Sequence, residues 1–401
     1  MVRLAAGGAP AGEDAPAVVD ALIAETVRLD ASDLHLLPEQ AGLRVQWRVD
    51  GILGEPDWLP AELAASVVTR LKVLAKLLTY ETQTPQEGQF RLGDAGSPFR
   101  ISTFPTLFGE KVVVRRLPSA ADGLSGIDDL GLLPAPRSVL AGCLAETSGA
   151  VLIVGPSGSG KTTTAYAALR EIVRQSAGRR SIATLEDPIE VVLPGVAQSQ
   201  AAPHAGFDLW VGLRALVRQD PEVILVGEIR DAQTAQVAYQ AALTGQLVVT
   251  TFHATDAASA VVRLLDMGVP AYMLRGATRA VIAQRLLRAC CPCRRDALQA
   301  RTASGQPGDV PCELCRGTGY RGRTVVAEAA KLASSGFQAA IQDGAQRRDL
   351  ETALRSDGVP SLRDQAEELA RRGETDRAEI ERLLGNAPAA PHNAAAPHRG
   401  A

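Results

Sequence analysis

At 401 residues, with 46% hydrophobic and 22% charged residues, the chain has the make-up of a globular protein long enough for more than one folded unit. A formal net charge of −3 and only 4% aromatic residues argue against a groove that tracks nucleic-acid phosphates and stacks bases, so no direct nucleic-acid partner is expected. The opening carries Glu13, Asp14 and Asp20 without an uninterrupted apolar core, and no apolar run reaches the ~20 residues of a bilayer span, so a cytosolic chain is expected.

Residues 1–17 are rich in Ala, Gly and Pro and read as a flexible start. Val18, Val19, Leu22, Ile23 and Val27 then recur at helical spacing and predict an amphipathic helix. "GLRVQWRVDGIL" alternates apolar and polar positions and turns at Asp50-Gly51, predicting a strand pair; "AELAASVVTRLKVLAKLL" predicts a helix. With further strands over "FRISTF" and "EKVVVRRL", residues 18–118 make a predicted small α/β domain, followed by a linker at 119–136 rich in Gly, Pro, Asp and Ser. Beyond it, "AVLIVG", "SIATLE", "VILVG" and "LVVTTF" alternate with helical segments, the order of a mostly parallel sheet with helices on its faces. This second domain is placed at 137–385, and the low-complexity residues 386–401 read as a disordered tail.

"VLIVGPSGSGKTTT" fits G-x-x-x-x-G-K-[ST] from Gly155 to Thr162, between an apolar strand and a helix. The predicted ATP-binding segment is therefore Gly155, Pro156, Ser157, Gly158, Ser159, Gly160, Lys161, Thr162 and Thr163. Glycines let successive backbone N–H groups turn toward the β-phosphate, Lys161 reaches the β- and γ-oxygens, and the Thr162 hydroxyl can ligate Mg²⁺. Acidic partners belong at the carboxyl ends of neighbouring strands, which selects Glu228 after one apolar run and Glu186 with Asp187 after another.

Five of the six cysteines fall between Cys290 and Cys315. Cys290-x-x-Cys293, an 18-residue spacer and Cys312-x-x-Cys315 fit the four-thiolate pattern for tetrahedral zinc, and a filled set of four ligands makes that Zn²⁺ structural. Residues 290–325 are assigned as the zinc-binding insertion, with Cys291 and Cys143 left as unliganded thiols.

The motifs "SDLHLLPE", "RVQWRVDGIL", "GPSGSGKTTTAYAAL", "TLEDPIE", "VILVGEIRD", "ALTGQLVVTTFHATDA" and "CELCRGTGYRGRT", in this order, resemble those of the secretion ATPases of type II secretion and type IV pilus assembly, the GspE/PilB group. The further amino-terminal domain that many of them carry is not seen here. The resemblance implies a RecA-like P-loop ATPase domain with a tetracysteine zinc insertion, preceded by a small PAS-like α/β domain. It implies a homohexamer at the cytoplasmic face of the inner membrane that hydrolyses ATP. Its expected partners are a GspF/PilC-like platform protein and a membrane-anchored adaptor.

By the same resemblance, Glu228 is the Walker B acid near Mg²⁺ and Glu186 the base or orienter of the attacking water, roles the two acids could exchange. His253 would sense the γ-phosphate, Arg100 and Arg115 would face the nucleotide across the hinge, and Arg214 and Arg230 match motif arginines of the large domain. Two positions depart from the family pattern: Gln246 stands where a histidine is expected, and Gln89 where an arginine is expected, with Arg91 on the same strand face. The alternatives are a pilus-retraction ATPase, whose relatives lack the tetracysteine insertion, and a nucleotide-binding assembly or regulatory subunit with weak turnover.

Overall fold

The computed structural model describes residues 14–92, 98–117, 125–295, 312–333, 335–342 and 344–386. The predicted flexible start up to position 13, residues 119–124 of the predicted linker and residues 387–401 of the predicted tail lie outside them.

Helix α1 (Ala15–Arg28) starts where the Asp14 carboxylate accepts from the Ala17 N–H, satisfying one of the amides a helix leaves unpaired at its start. It buries Val18, Val19, Leu22 and Ile23 as the apolar spacing predicts. Val27 does not join them: it is 46% exposed, and Thr26 is buried in its place. Position 26 follows Leu22 by four residues and Ile23 by three, so it lies on their stripe. Its hydroxyl is satisfied there, donating to the Leu22 carbonyl at 2.8 Å and accepting from Trp47 Nε1 at 3.1 Å.

Strands β1 (Asp33–Glu39), β2 (Gly42–Val49), β3 (Ile52–Leu53), β4 (Asp57–Leu59), β5 (Gln86–Arg91), β6 (Pro98–Thr106) and β7 (Gly109–Arg116) form an antiparallel sheet in the order β3-β2-β1-β7-β6-β5, with β4 also on β2. The Asp50-Gly51 turn has φ of 49° and 84°, the left-handed pair that a two-residue hairpin requires. Alternate strand residues, among them Leu34, Val45, Trp47, Ile101 and Val114, bury one face against α1 and α2 (Ala61–Leu74). Lys72 on α2 is fully buried, its ammonium donating to both Glu110 oxygens at 2.9 Å and to the Glu81 carbonyl at 2.7 Å.

After α3 (Pro134–Leu144) come β8 (Gly149–Val154), α4 (Lys161–Ser176), β9 (Ile182–Glu186), β10 (Ala197–Gln200), α5 (Leu209–Leu216), β11 (Val223–Val226), α6 (Ala232–Thr244) and β12 (Leu247–Phe252). Then follow α7 (Ala257–Asp266), α8 (Ala271–Ala277), β13 (Thr278–Cys290), β14 (Tyr320–Lys331), α9 (Gly336–Ala340), α10 (Arg347–Ser356), α11 (Leu362–Arg371) and α12 (Arg377–Leu384). The second sheet runs β10-β9-β11-β12-β8-β13-β14, parallel except for β14. Strands β8, β9, β11 and β12 are buried along their whole length, the reason they read as continuous apolar runs. Their alternate residues feed two cores: Leu152, Ile224 and Val248 pack on the side of α6 and α7, while Ile153, Leu225 and Val249 pack on the side of α3 and α4. Because β8, β9, β11 and β12 run parallel, the loops that follow them open at one edge of the sheet.

Candidate active site

The phosphate loop leaves β8 at Val154 and enters α4 at Lys161, as its strand–loop–helix context predicts. Gly158 and Gly160 have φ of 74° and 86°, a conformation that a side chain disfavours. No side chain caps the start of α4, so its first amides are unpaired at the positive end of the helix dipole, an arrangement suited to an anion. Lys161 is 9% exposed, and its ammonium donates to the Gly155 and Pro156 carbonyls at 3.0 Å each, with His253 Nδ1 at 3.5 Å. Burial lowers its pKa from the usual lysine value, and the Glu228 carboxylate opposes that shift.

Glu228 stands just beyond the end of β11, at the same sheet edge. Its Oε1 lies 2.7 Å from His253 Nε2, a close contact without hydrogen-bond alignment. Its Oε2 accepts from Arg230 Nε at 2.8 Å, and Arg230 extends to Asp187 Oδ2 at 3.2 Å. Lys161, His253, Glu228, Arg230 and Asp187 thus form one polar chain beside the phosphate loop. The carboxylates hold the Arg230 pKa above its ordinary value, chiefly through the Glu228 hydrogen bond. Thr162 is half-buried and Thr163 exposed at the mouth of this site.

Glu186 is placed differently. It is 3% exposed at the end of β9, with Oε2 accepting from the Tyr166 phenol and Oε1 from Thr184 Oγ1 at 2.5 Å and Gln198 Nε2 at 3.2 Å. Burial and the Glu186 hydrogen bond raise the Tyr166 phenol well above its ordinary range. Both oxygens are therefore occupied in holding α4 to β9. Glu190, four residues on in "TLEDPIE", went unremarked in the sequence: burial and the Glu186 charge raise its pKa, and the charges of Arg115 and Arg100 oppose the shift.

Register explains why those arginines act together. Gln89, Arg100, Arg115, Asp33 and Arg48 are successive cross-strand partners over β5, β6, β7, β1 and β2, so they form one row on the polar face of the first sheet. Arg115 donates to Asp33 Oδ1 at 2.7 Å and Arg100 to Glu87 Oε2 at 2.5 Å. Arg91 lies on this face too. Arg214 does not join the site: it is exposed on α5 and stacks over Trp210 at 4.9 Å. Gln246 sits before β12, its carbonyl accepting from Gly149 at the start of β8, whereas the phosphate loop follows the far end of that strand. At ~3.3 Å per residue the strand's length puts Gln246 on the order of 20 Å from the phosphate loop within one chain.

The cysteine cluster corrects one assignment. Cys291, Cys293, Cys312 and Cys315 bring their sulfurs within 4.8 Å of one another, and Cys290 is outside the set. Cys290 is the last residue of β13, paired with Tyr320, and its thiol points to Asp376 Oδ2 at 3.9 Å. Successive strand side chains alternate sides, so when Cys290 faces Asp376 its neighbour Cys291 faces the other cysteines. The motif is Cys-x-Cys followed by Cys-x-x-Cys. Burial and the Asp376 charge push the Cys290 thiol up to about 11, while backbone N–H groups of Cys315 and Leu314 bring Cys312 down to about 7. Sulfurs 3.8 Å apart for Cys291–Cys312 and 3.6 Å for Cys293–Cys315 match the edge of a zinc tetrathiolate, about 3.8 Å for Zn–S bonds of ~2.3 Å. The Gly319 N–H donates to Cys315 Sγ at 3.3 Å, the outer-shell bond a metal thiolate favours. These residues fit Zn²⁺. Residues 296–311 of the predicted insertion lie outside the described residues.

The family model for type II/IV secretion system proteins matches residues 12–382. The chain belongs to that family. It is 40% identical over 373 residues to the type II secretion system protein HxcR of Pseudomonas aeruginosa, covering 92% of this chain and 77% of that protein. It is 36% identical over 387 residues to the type II secretion system ATPase E of Vibrio cholerae, covering 92% of this chain and 76% of that one. In fold it is similar to the Legionella pneumophila ATPase DotB, with a TM-score of 0.68 at 20% identity over 93% of this chain and 96% of that one. It is similar also to the ADP-bound pilus retraction motor PilT, with a TM-score of 0.61 at 22% identity over 93% and 97%. The predicted α/β class is thereby met. No helix among the described residues is long and apolar enough to cross a membrane.

Proposed function

We propose that this family member is an ATP-hydrolysing motor for assembly of pilin-like filaments in type II secretion or type IV pilus biogenesis. The observation that carries the reading is the chain of Lys161, His253 and Glu228 beside an uncapped α4. In this proposal the loop amides and Lys161 bind the β- and γ-phosphates, and Thr162 with Glu228 holds Mg²⁺. Magnesium would neutralise charge on the transferring phosphoryl group. Glu228, the less enclosed of the two acids, takes the water-facing role, and Glu186 acts through Tyr166 to set the loop's helix. Arg100 and Arg115 supply charge to the site when the first sheet unit closes on it; Glu190 is the acid they already face.

The same proposal covers a homohexamer on the cytoplasmic face of the inner membrane that drives a GspF/PilC-like platform protein. Its support is the family, and the four-cysteine cluster favours assembly over retraction. Steady-state phosphate release by wild type, Lys161→Ala and Glu228→Gln tests the enzyme reading; equal background rates in all of them would overturn it. The occupied oxygens of Glu186 favour a second reading, a nucleotide-binding subunit with weak turnover, which the same assay separates by rate.

A further inference from the structure

We propose that Gln284 is a positioning residue for phosphate binding: its side-chain amide locks the Ser159–Gly160 peptide in the orientation that turns the Gly160 N–H into the phosphate loop. The inference rests on the reading of that loop as a nucleotide site.

Strand β13 runs parallel to β8, and Ala283 is the partner of Val154, the last residue of β8. Gln284 is therefore beside the first residue of the phosphate loop. It is completely buried, and Nε2 donates to the Ser159 carbonyl at 2.7 Å. Its main-chain carbonyl lies against Gly155, where an added Cβ would come within 2.7 Å of it. At Gly160 an added Cβ would come within 3.1 Å of Gln284 Nε2. One residue thus backs the loop at both ends. The next one braces it: Arg285, 9% exposed, donates to the Gln284 carbonyl at 2.9 Å and to the Thr255 carbonyl, two residues past His253, at 2.7 Å.

The consequence follows from peptide geometry. In a planar trans peptide the C=O and the following N–H point in opposite directions, so a Ser159 carbonyl held toward β13 sends the Gly160 N–H away from β13, into the loop. Gly160, at φ 86°, has the freedom to let that peptide flip, which would aim a carbonyl oxygen at the phosphate. The Gln284 amide removes the flipped state, because flipping would leave a buried donor unpaired. Acceptance by a carbonyl also fixes which end of the amide is nitrogen, and the other end, Oε1, is buried without a protein partner. Replacing the amide by an apolar isostere removes the orphan acceptor along with the donor and leaves the Ser159 carbonyl unpaired, the state from which the peptide is free to flip.

The test measures binding of ADP and of AMP, which lacks the β-phosphate, to the purified full chain carrying Gln284→Met, Gln284→Leu or Lys161→Ala, with melting curves of the nucleotide-free proteins. Both Gln284 variants are expected to raise the Kd for ADP about tenfold while the Kd for AMP stays within about twofold, the effect of one lost donor confined to the β-phosphate. Gln284→Leu likewise removes the donor without adding a charge, so the proposal stays testable if the Met variant does not fold. Wild-type ADP affinity in the Gln284 variants, or ADP and AMP weakened alike, overturns the proposal. If Lys161→Ala alone loses ADP, the clamp fails and the phosphate-loop reading stands; if Lys161→Ala also binds ADP normally, that reading falls and the clamp with it.

Discussion

Replacing Glu186 by Gln separates an anchoring acid from a catalytic one. The carboxylate accepts from Tyr166, Thr184 and Gln198 while 3% exposed, so the native bonds are charge-assisted. A Gln at this position keeps one acceptor oxygen and turns the other into a donor. Tyr166 can reorient its hydroxyl to accept from that donor, but its oxygen already accepts from the Glu190 N–H at 3.2 Å. Charge-assisted bonds are worth roughly 1.5–3 kcal/mol against ~1 for neutral ones, so two weakened bonds cost about 2 kcal/mol. Some of this is offset because the substitution removes the negative charge that raises the Glu190 pKa. At ~2–4 °C per kcal/mol for a unit of this size, the Tm is expected to fall by about 4–8 °C. The assay pairs differential scanning fluorimetry with steady-state phosphate release at saturating ATP. Under the anchoring role, Tm falls and the turnover of protein still folded falls by less than about tenfold. An unchanged Tm with turnover reduced more than about a hundredfold would refute the reasoning and return Glu186 to the role of base.

Three other outcomes are expected. Zinc content measured by mass spectrometry is lost in Cys291→Ser and retained in Cys290→Ser, because only Cys291 faces the other thiols; the reverse result would restore the Cys290 assignment. Burial raises the Glu328 pKa from 4.5 to about 7, so its contribution to stability is present below about 4.5 and lost as pH rises through about 7. Glu328→Gln, which can still accept from Ala257 N, is expected to gain up to about 3 kcal/mol relative to wild type between pH 5 and 8, read from urea midpoints. Lys72→Met leaves the Glu110 carboxylate buried and unpaired and costs about 3–5 kcal/mol, whereas Lys72→Met with Glu110→Leu recovers most of it in the same urea assay.

The phosphate loop was legible because everything that defines it is local. Strand, glycines, lysine and helix are contiguous, and Gly158 and Gly160 take the left-handed conformations that their residue type permits. The Asp50-Gly51 hairpin and the four fully buried strands were legible for the same reason: turn chemistry and apolar runs are properties of a few adjacent residues. Thr26 and Val27 mark the limit of such patterns. Hydropathy favoured Val27, yet helix geometry and the Trp47 hydrogen bond put Thr26 inside.

What remained illegible depends on which distant residues the topology brings together. Spacing cannot say which face of β13 looks toward the cysteine cluster, so Cys290 and Cys291 exchanged places. Glu186 looked like an open strand-end acid until Tyr166, twenty residues away, closed over it. Gln246, beside motif residues in sequence, lies at the opposite edge of the sheet from the phosphate loop. Gln284 lies in the motif "AQRLLRACCPC", but its role was illegible, since its partner Ser159 is 125 positions distant. By itself, then, the sequence determined the chemistry the chain can hold, because phosphate loops and strands are written in neighbouring residues. Only the tertiary structure decided which acids, thiols and amides share that site, because hydrogen bonds and metal ligation are fixed by distances of a few ångströms that the one-dimensional order does not contain.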